Sequence, residues 1–549
     1  MAQLALLSLT LFSFFSFFLS VSASPLATLP NSAGKRTENG VHIPIVRKES
    51  QGRGLRRRGG LTGAIGLGDS IDVTYSIMMN VGGMQSPLVL DTGSSDLWVA
   101  SDACKGCKTS QPLFPQASFT GAGLDVDLRY GDSFTGTHAS GIIGTGNISF
   151  AGIAISNQYF AAMNDTDTPL IQTGDVGIFG LGFPLNSAIF NEVFIAEKIN
   201  KPQPPASRRF LPSSSNYGTR FFPNLGNLVS ARKRAFASAA ELTNAVLRSY
   251  STFGPAVTRM VTTNSLAAPM FAITLQRNSV DIGGNAGMLS LGELPSGTQN
   301  SSLTWAPVRR YPNALQAPAD SPDEMYPIAW EVFIDDVFLD GVRLPRSNLS
   351  SPKIALSGLI DTGNSLLRGP SDVVEIIDSR IGSTFSCSTA HTLAFSINGK
   401  LFPVDARDFV RQGFNSKNCI STVVETDPPV EGKGYQYSWS LGDPFLKSVV
   451  AAFHYGNITY PSVDPPKIGF VSTVPQDGGA AALVSAVKKA GEENNGDLFA
   501  TTDPAPTGMP IVKAPVGKIE TNGALARPTD GLSLFVVTCV AMMGMTLLV

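Results

Sequence analysis

Pro87-Leu-Val-Leu-Asp91-Thr92-Gly93-Ser94-Ser95 and Ser357-Gly-Leu-Ile-Asp361-Thr362-Gly363-Asn364-Ser365 are two versions of one pattern: an apolar strand running into an Asp-Thr-Gly turn. Each is followed about 80 residues later by a glycine among apolar residues, Val176-Gly-Ile-Phe-Gly180-Leu for the first and Ser440-Leu-Gly442-Asp-Pro-Phe for the second. A single Asp-Thr-Gly is an ordinary turn. Two copies in matched contexts, each with its distant glycine strand, are an internal repeat. The two aspartates lie 270 positions apart, as two lobes sharing one site require.

Around these loops, residues 59 to about 474 read as short alternating strands broken by Gly, Asn and Asp, for example Ser70–Met79, Met270–Gln276 and Trp330–Phe338. The 549 residues are 43% hydrophobic and 15% charged, enough to bury a core, and 54 Gly with 37 Pro favour turns over long helices. The expected class is all-β, with two lobes. A net charge of −2 disfavours binding to nucleic acid through overall positive charge. Four His and five Cys are too scattered for a metal cluster, so neither metal nor cofactor is expected.

The repeated residues suit paired-carboxylate chemistry. Gly after Asp-Thr permits a tight turn that lifts the carboxylate out of the strand end. The Thr hydroxyls can bond across to the partner loop. Two carboxylates about 3 Å apart repel by about 5 kcal/mol at an effective dielectric of about 20, so one proton is shared over a wide acidic range. The charged member can then take a proton from water while the protonated member donates to a carbonyl oxygen. A carboxylate-pair glycosidase is the third choice, because nothing in that chemistry calls for a duplicated Asp-Thr-Gly.

Residues 60–474, one insertion excluded, resemble a pepsin-like aspartic protease, specifically the GPI-anchored, yapsin-like type of fungi. The resemblance implies a bilobal fold with a pseudo-two-fold axis, a cleft between lobes, and an endopeptidase acting on proteins and peptides at acidic pH. It makes Asp91 and Asp361 the catalytic pair, supported by Thr92, Gly93, Ser94, Thr362, Gly363 and Asn364. It makes Tyr130, in Arg129-Tyr-Gly131-Asp132-Ser, the tyrosine of a flap that closes over substrate, and Trp98 its support. Two departures stand out. Asn364 replaces the usual Thr or Ser, its amide being expected to donate to Asp361, and the flap Tyr130–Gly136 is one residue short. A catalytically silent binder on the same fold, like plant inhibitors of xylanase, is the competing reading; both Asp-Thr-Gly loops are intact, which counts against it.

The ends read as targeting and processing segments. Residues 4–21 are an apolar run before Val21-Ser22-Ala23, a secretory signal cleaved after residue 23, although the missing basic n-region leaves a signal anchor as the alternative. Residues 24–58 carry eight basic and two acidic residues and end in Leu55-Arg56-Arg57-Arg58-Gly59, which a kexin-type convertase could cut. Here Ile43-Pro-Ile-Val-Arg47-Lys48 resembles the family's inhibitory pro-segment. At the other end, Asn522-Gly523-Ala524, a short spacer and the uncharged run Gly531–Val549 match a GPI signal (523–549), with lipid attached at or near Asn522. A transmembrane helix is the alternative. Between the body and this signal, residues 475–522 lack periodicity and read as a flexible stalk.

Inside the body, the lobes are expected at 59–308 and 309–474. The first carries a basic insertion at about 197–256, expected as a surface loop; a cut at Arg232-Lys233-Arg234 would leave two associated chains of what is otherwise a monomer. Removing 197–260 leaves the rest of 59–522 at −16, an acidic body suited to low pH. Sequons at Asn147, Asn164, Asn300, Asn348 and Asn457 fit a glycosylated surface protein. With Cys539 in the tail, Cys104–Cys107 and Cys387–Cys419 is the simplest of three pairings, and the second resembles the family's second-lobe bridge.

Overall fold

Strands dominate wherever Val, Ile and Phe alternate with smaller or polar residues, because a β-branched or aromatic side chain packs well on a half-buried pleat. The computed structural model describes residues 35–49, 73–132, 136–199, 236, 238–275, 287–412, 418–431 and 435–493. Among them, strands join into one network of 19, a four-stranded sheet and a three-stranded sheet. Sequence and structure agree on the all-β, bilobal class, with the core running continuously through both halves.

The halves repeat one topology. In the first, Met84–Asp91 pairs in parallel with Gly177–Gly180, which also pairs antiparallel with Leu97–Ala100. In the second, Ser357–Ile360 pairs in parallel with Trp439–Leu441, which pairs antiparallel with Leu367–Pro370. Each Asp-Thr-Gly turn therefore leaves the end of a central strand whose neighbours are already paired, so it cannot continue as sheet. Asp91 is in register with Gly180. Fully buried Trp98, Trp330 and Trp439 pack around these strands.

A third layer spans the halves. Val41–Glu49 pairs with Gly287–Leu291 through its first residues and with Val73–Val81 through its last. From Gly287–Leu291 the sheet continues through Met270–Leu275, Val449–His454, Lys467–Ser472 and Thr304–Tyr311. Val41, Ile43 and Ile45 are buried in it.

Three expectations meet the strand order directly. Within the expected pro-segment 24–58, the strand Val41–Glu49 is paired into the body sheet. Position 308 falls inside the Thr304–Tyr311 strand, which belongs both to the spanning sheet and, through Tyr326–Phe333, to the second half. The single strand expected at Trp330–Phe338 is two, Tyr326–Phe333 and Asp336–Leu339.

Two helices also correct the reading. The distal part of the expected insertion is the helix Ala239–Phe253, with Ala256–Thr262 after it. Ser238 caps the first by accepting from Glu241 N at 3.1 Å, and Leu242, Val246, Leu247, Tyr250 and Phe253 are buried at helical spacing. This stretch is core, not loop. Likewise the first part of the expected stalk is the helix Ala480–Glu493, with Leu483 and Ala490 buried and Asp477 accepting from Gly479 N and Ala481 N at 3.0 and 2.9 Å. Its entry is tied to the second half by Ala406 N donating to Gly478 O at 2.9 Å. Residues 1–23, Arg232-Lys233-Arg234, Asn522 and the tail 523–549 lie outside the described residues.

Candidate active site

Within each turn the glycine amide donates to its own aspartate, Gly93 N to Asp91 Oδ1 at 2.8 Å and Gly363 N to Asp361 Oδ1 at 2.9 Å. The threonines cross over. Thr92 N donates to Thr362 Oγ1 and Thr362 N to Thr92 Oγ1, both at 3.0 Å. Their hydroxyls in turn donate to Ile360 O at 2.7 Å and Leu90 O at 2.8 Å. These four buried bonds join the loops 270 residues apart and leave neither hydroxyl idle.

This grip sets the carboxyls against each other. A β-carbon on Gly93 would lie 2.5 Å from Asp361 Oδ1, and one on Gly363 would lie 2.5 Å from Asp91 Oδ1. Only glycine leaves room for the opposite carboxyl. Asp91 and Asp361 are close enough for the charge of one to act on the other. Burial raises Asp91, opposed by the Ser94 hydroxyl at 2.5 Å and by the Gly93 amide, which favour its anion. Burial and then the charge of Asp91 raise Asp361, which is therefore the natural holder of the shared proton.

The expected donation from Asn364 to Asp361 is not made. Asn364 Nδ2 donates to Ser440 Oγ at 2.9 Å, while its Oδ1 accepts from Leu366 N at 3.1 Å and Arg368 Nε at 3.3 Å. The longer side chain turns into its own half, so the hydroxyl that Ser94 supplies to Asp91 has no Asn364 counterpart at Asp361.

Tyr130 ends the strand Thr120–Tyr130, which forms a hairpin with Thr137–Phe150. Trp98 Nε1 donates to the Tyr130 hydroxyl at 2.7 Å. Gly131 adopts φ 82°, and Asp132 pairs with Arg368 of the other half at 3.1 Å. Residues 133–135, and with them the length of the hairpin tip, lie outside the described residues.

Other residues of the site carry no local sequence signal. Asp96 accepts from Ser187 Oγ at 2.5 Å, Ala188 N at 2.9 Å and Ile189 N at 3.1 Å, fixing the start of the helix Ala188–Phe194 behind the first loop. Burial outweighs these three donors and pushes its carboxyl up to about 6. Leu181 N donates to Asp91 O at 2.8 Å, while Leu181 O accepts from Trp330 Nε1 at 2.9 Å and the Tyr455 hydroxyl at 2.5 Å. Tyr435 donates to Asn186 Oδ1. All of these are contacts across about 90 residues or more, visible only once the chain is folded.

Away from the cleft, Cys104–Cys107 and Cys387–Cys419 are both disulfide-bonded. Asn147, Asn300 and Asn348 are exposed, whereas Asn164 and Asn457 are half-buried. Asn164 Oδ1 accepts from Gln116 at 2.7 Å, and Asn457 Oδ1 accepts from the Tyr460 amide at 2.9 Å.

The model of the eukaryotic aspartyl protease family matches residues 74–202 and 242–461, well over half of the chain. The gap between the two matched parts falls inside the expected insertion and ends at the capped helix. Pepsin A of Suncus murinus is 24% identical over 67% of this chain and 75% of its own length. An aspartic protease of Phaffia rhodozyma is 24% identical over 72% of this chain and 75% of its own. Gastricsin of Rattus norvegicus is 26% identical over 70% of this chain and 80% of its own. With two Asp-Thr-Gly loops interlocked at one site and this family match across both halves, the chain belongs to the eukaryotic aspartyl proteases and is an aspartic endopeptidase.

Proposed function

We propose that Asp91 and Asp361 are the catalytic pair of this endopeptidase and that they hydrolyse peptide bonds at acidic pH through one shared proton. The observation that carries the assignment is the reciprocal packing of the loops, in which each glycine makes room for the opposite carboxyl. Asp91, held as the anion by Ser94 and Gly93, takes a proton from water as its oxygen attacks the scissile carbonyl carbon. Asp361 gives its proton to the carbonyl oxygen. The gem-diol then collapses: the C–N bond breaks, Asp91 returns its proton to the leaving nitrogen, and a hydroxyl proton goes back to Asp361. Tyr130, Gly131 and Asp132 border the cleft on the side of the hairpin, with Trp98 behind them.

The finer reading is a yapsin-like enzyme delivered to the cell surface, glycosylated at its exposed sequons and held by lipid near Asn522. It is supported by the apolar run before Ala23, the basic cluster ending at Arg58, and the uncharged run Gly531–Val549 after three small residues. Cleavage at Arg232-Lys233-Arg234 would leave two chains, held together by the core helix that follows.

Asp91→Asn and Asp361→Asn test the pair. Each keeps the shape of the loop and is expected to lower peptide cleavage at pH 4 by about a thousandfold or more, because the shared proton is lost. Cleavage at the parental rate by either variant would remove the assignment.

A further inference from the structure

Arg368 lies seven residues after Asp361, on the strand Leu367–Pro370, and its guanidinium crosses to the other half of the molecule. Nη1 sits 3.1 Å from Asp132 Oδ2, 236 residues away, with the two side chains only 13% and 6% exposed. The base of the guanidinium is fixed as well: Nε donates to Asn364 Oδ1, and Asn364 is held by Ser440. Two residues before Asp132, the Tyr130 hydroxyl accepts from Trp98 in its own half. The end of the hairpin is therefore tied on one side to the lobe that carries it and on the other to the opposite lobe.

We propose that Arg368 is a positioning residue that pins the Tyr130–Asp132 segment to the opposite half, so that this end of the strand Thr120–Tyr130 is ordered before substrate arrives. Removing one member of a largely desolvated ion pair costs more than removing one member of a surface pair, so either substitution loosens the tie between Arg368 and Asp132. Pre-ordering of this kind lowers the cost of closing on a peptide, so its loss falls on KM more than on kcat. The positive charge of Arg368 also acts on Asp361, where it favours the ionised form. Asp91 acts on Asp361 as well, and Asp96 and Asp91 of the first loop act on Tyr130 of the hairpin. The inference rests on the peptidase reading above and assigns one residue a role within it.

The test uses the full-length protein with Asp132→Asn, Arg368→Gln, Arg368→Lys and the charge swap Asp132→Arg with Arg368→Asp. Cleavage of a fluorogenic peptide is followed from pH 3 to pH 8, together with hydrogen exchange of the amides of residues 128–132. Asp132→Asn is expected to raise KM roughly five- to thirtyfold, to change kcat little and to speed exchange at these amides, without moving the alkaline limb of the rate profile upward. Arg368→Gln is expected to do the same and, in addition, to move that limb to higher pH by about half a unit or more, since Asp361 loses the cation that favours its ionisation. Arg368→Lys should keep the limb in place, and the swap should recover part of the KM loss. Parental KM and parental exchange in Arg368→Gln would overturn the proposal. A parent protein with no more peptidase activity than its Asp361→Asn variant would instead overturn the functional reading, and the exchange comparison would still decide whether Arg368 orders the hairpin.

Discussion

At the scale of single residues the two Asp-Thr-Gly loops are alike in backbone and unlike in side chain. Ser94 donates to Asp91, whereas Asn364 turns away to Ser440 and Arg368. Asp91 is thereby the better anion and Asp361 the better proton holder, a division that the near-identical sequences conceal. Ser94→Ala removes a donor that favours ionised Asp91, so the lower apparent pKa of the pair rises. The acid limb of the rate profile should move to higher pH by about half a unit or more, while Asn364→Ala leaves that limb in place. Initial rates between pH 2 and pH 5 check both. The reach of Asn364 could not be read from the chain, because Ser440, its partner, lies 76 residues away.

At the scale of elements, the two loops hold each other through the threonines, and Ala239–Phe253 and Ala480–Glu493 pack as helices. Thr92→Ala removes one hydroxyl from two buried bonds and leaves the Thr362 amide without its acceptor. The expected cost is about 2–4 kcal/mol of stability with a fall in activity of tenfold or more, and Thr92→Ser should restore most of both. Denaturant unfolding and peptide cleavage measured side by side are the check. The helix Ala480–Glu493 makes a separate prediction. Leu483→Asp places a charge on a buried contact and should lower the unfolding midpoint by several degrees, about 2–4 kcal/mol, with kcat/KM at the active site unchanged at temperatures where the protein is folded. The helix Ala239–Phe253 had a readable signal, Ser238-Ala-Ala-Glu241 before apolar residues at helical spacing. It is hidden by the Pro-, Ser- and Arg-rich composition just before it, which favours reading the whole stretch as loop.

At the scale of the molecule, four buried carboxyls share one direction of shift. Asp91, Asp361, Asp96 and Glu331 are all raised, chiefly by burial. The folded chain therefore holds protons that the unfolded chain releases. Stability from these groups is fully present below the ordinary carboxylate range and is lost as pH rises through the raised values, about 6 for Asp96. The unfolding midpoint should be higher at pH 4 than at pH 7, with Asp96 alone contributing on the order of 2 kcal/mol to the difference. Asp361→Asn, which removes one titrating carboxyl, should narrow the gap. Thermal unfolding of parent and variant at both pH values decides it, and a parent more stable at pH 7 would contradict the burial of these groups.

What the chain alone determined is the strand-rich class, the two lobes and the loops that meet between them. These follow from local chemistry: alternation selects strands, and Asp-Thr-Gly after an apolar run selects a turn that lifts a carboxylate out of a strand end. Only the tertiary structure decided which side chains answer those carboxylates, where Val41–Glu49 is built in, that Ala239–Phe253 and Ala480–Glu493 are packed helices, and that Arg368 meets Asp132. Each of these depends on partners far away in the sequence, and burial and pairing energies of that kind exist only once the folded chain has brought the groups together and excluded water from between them.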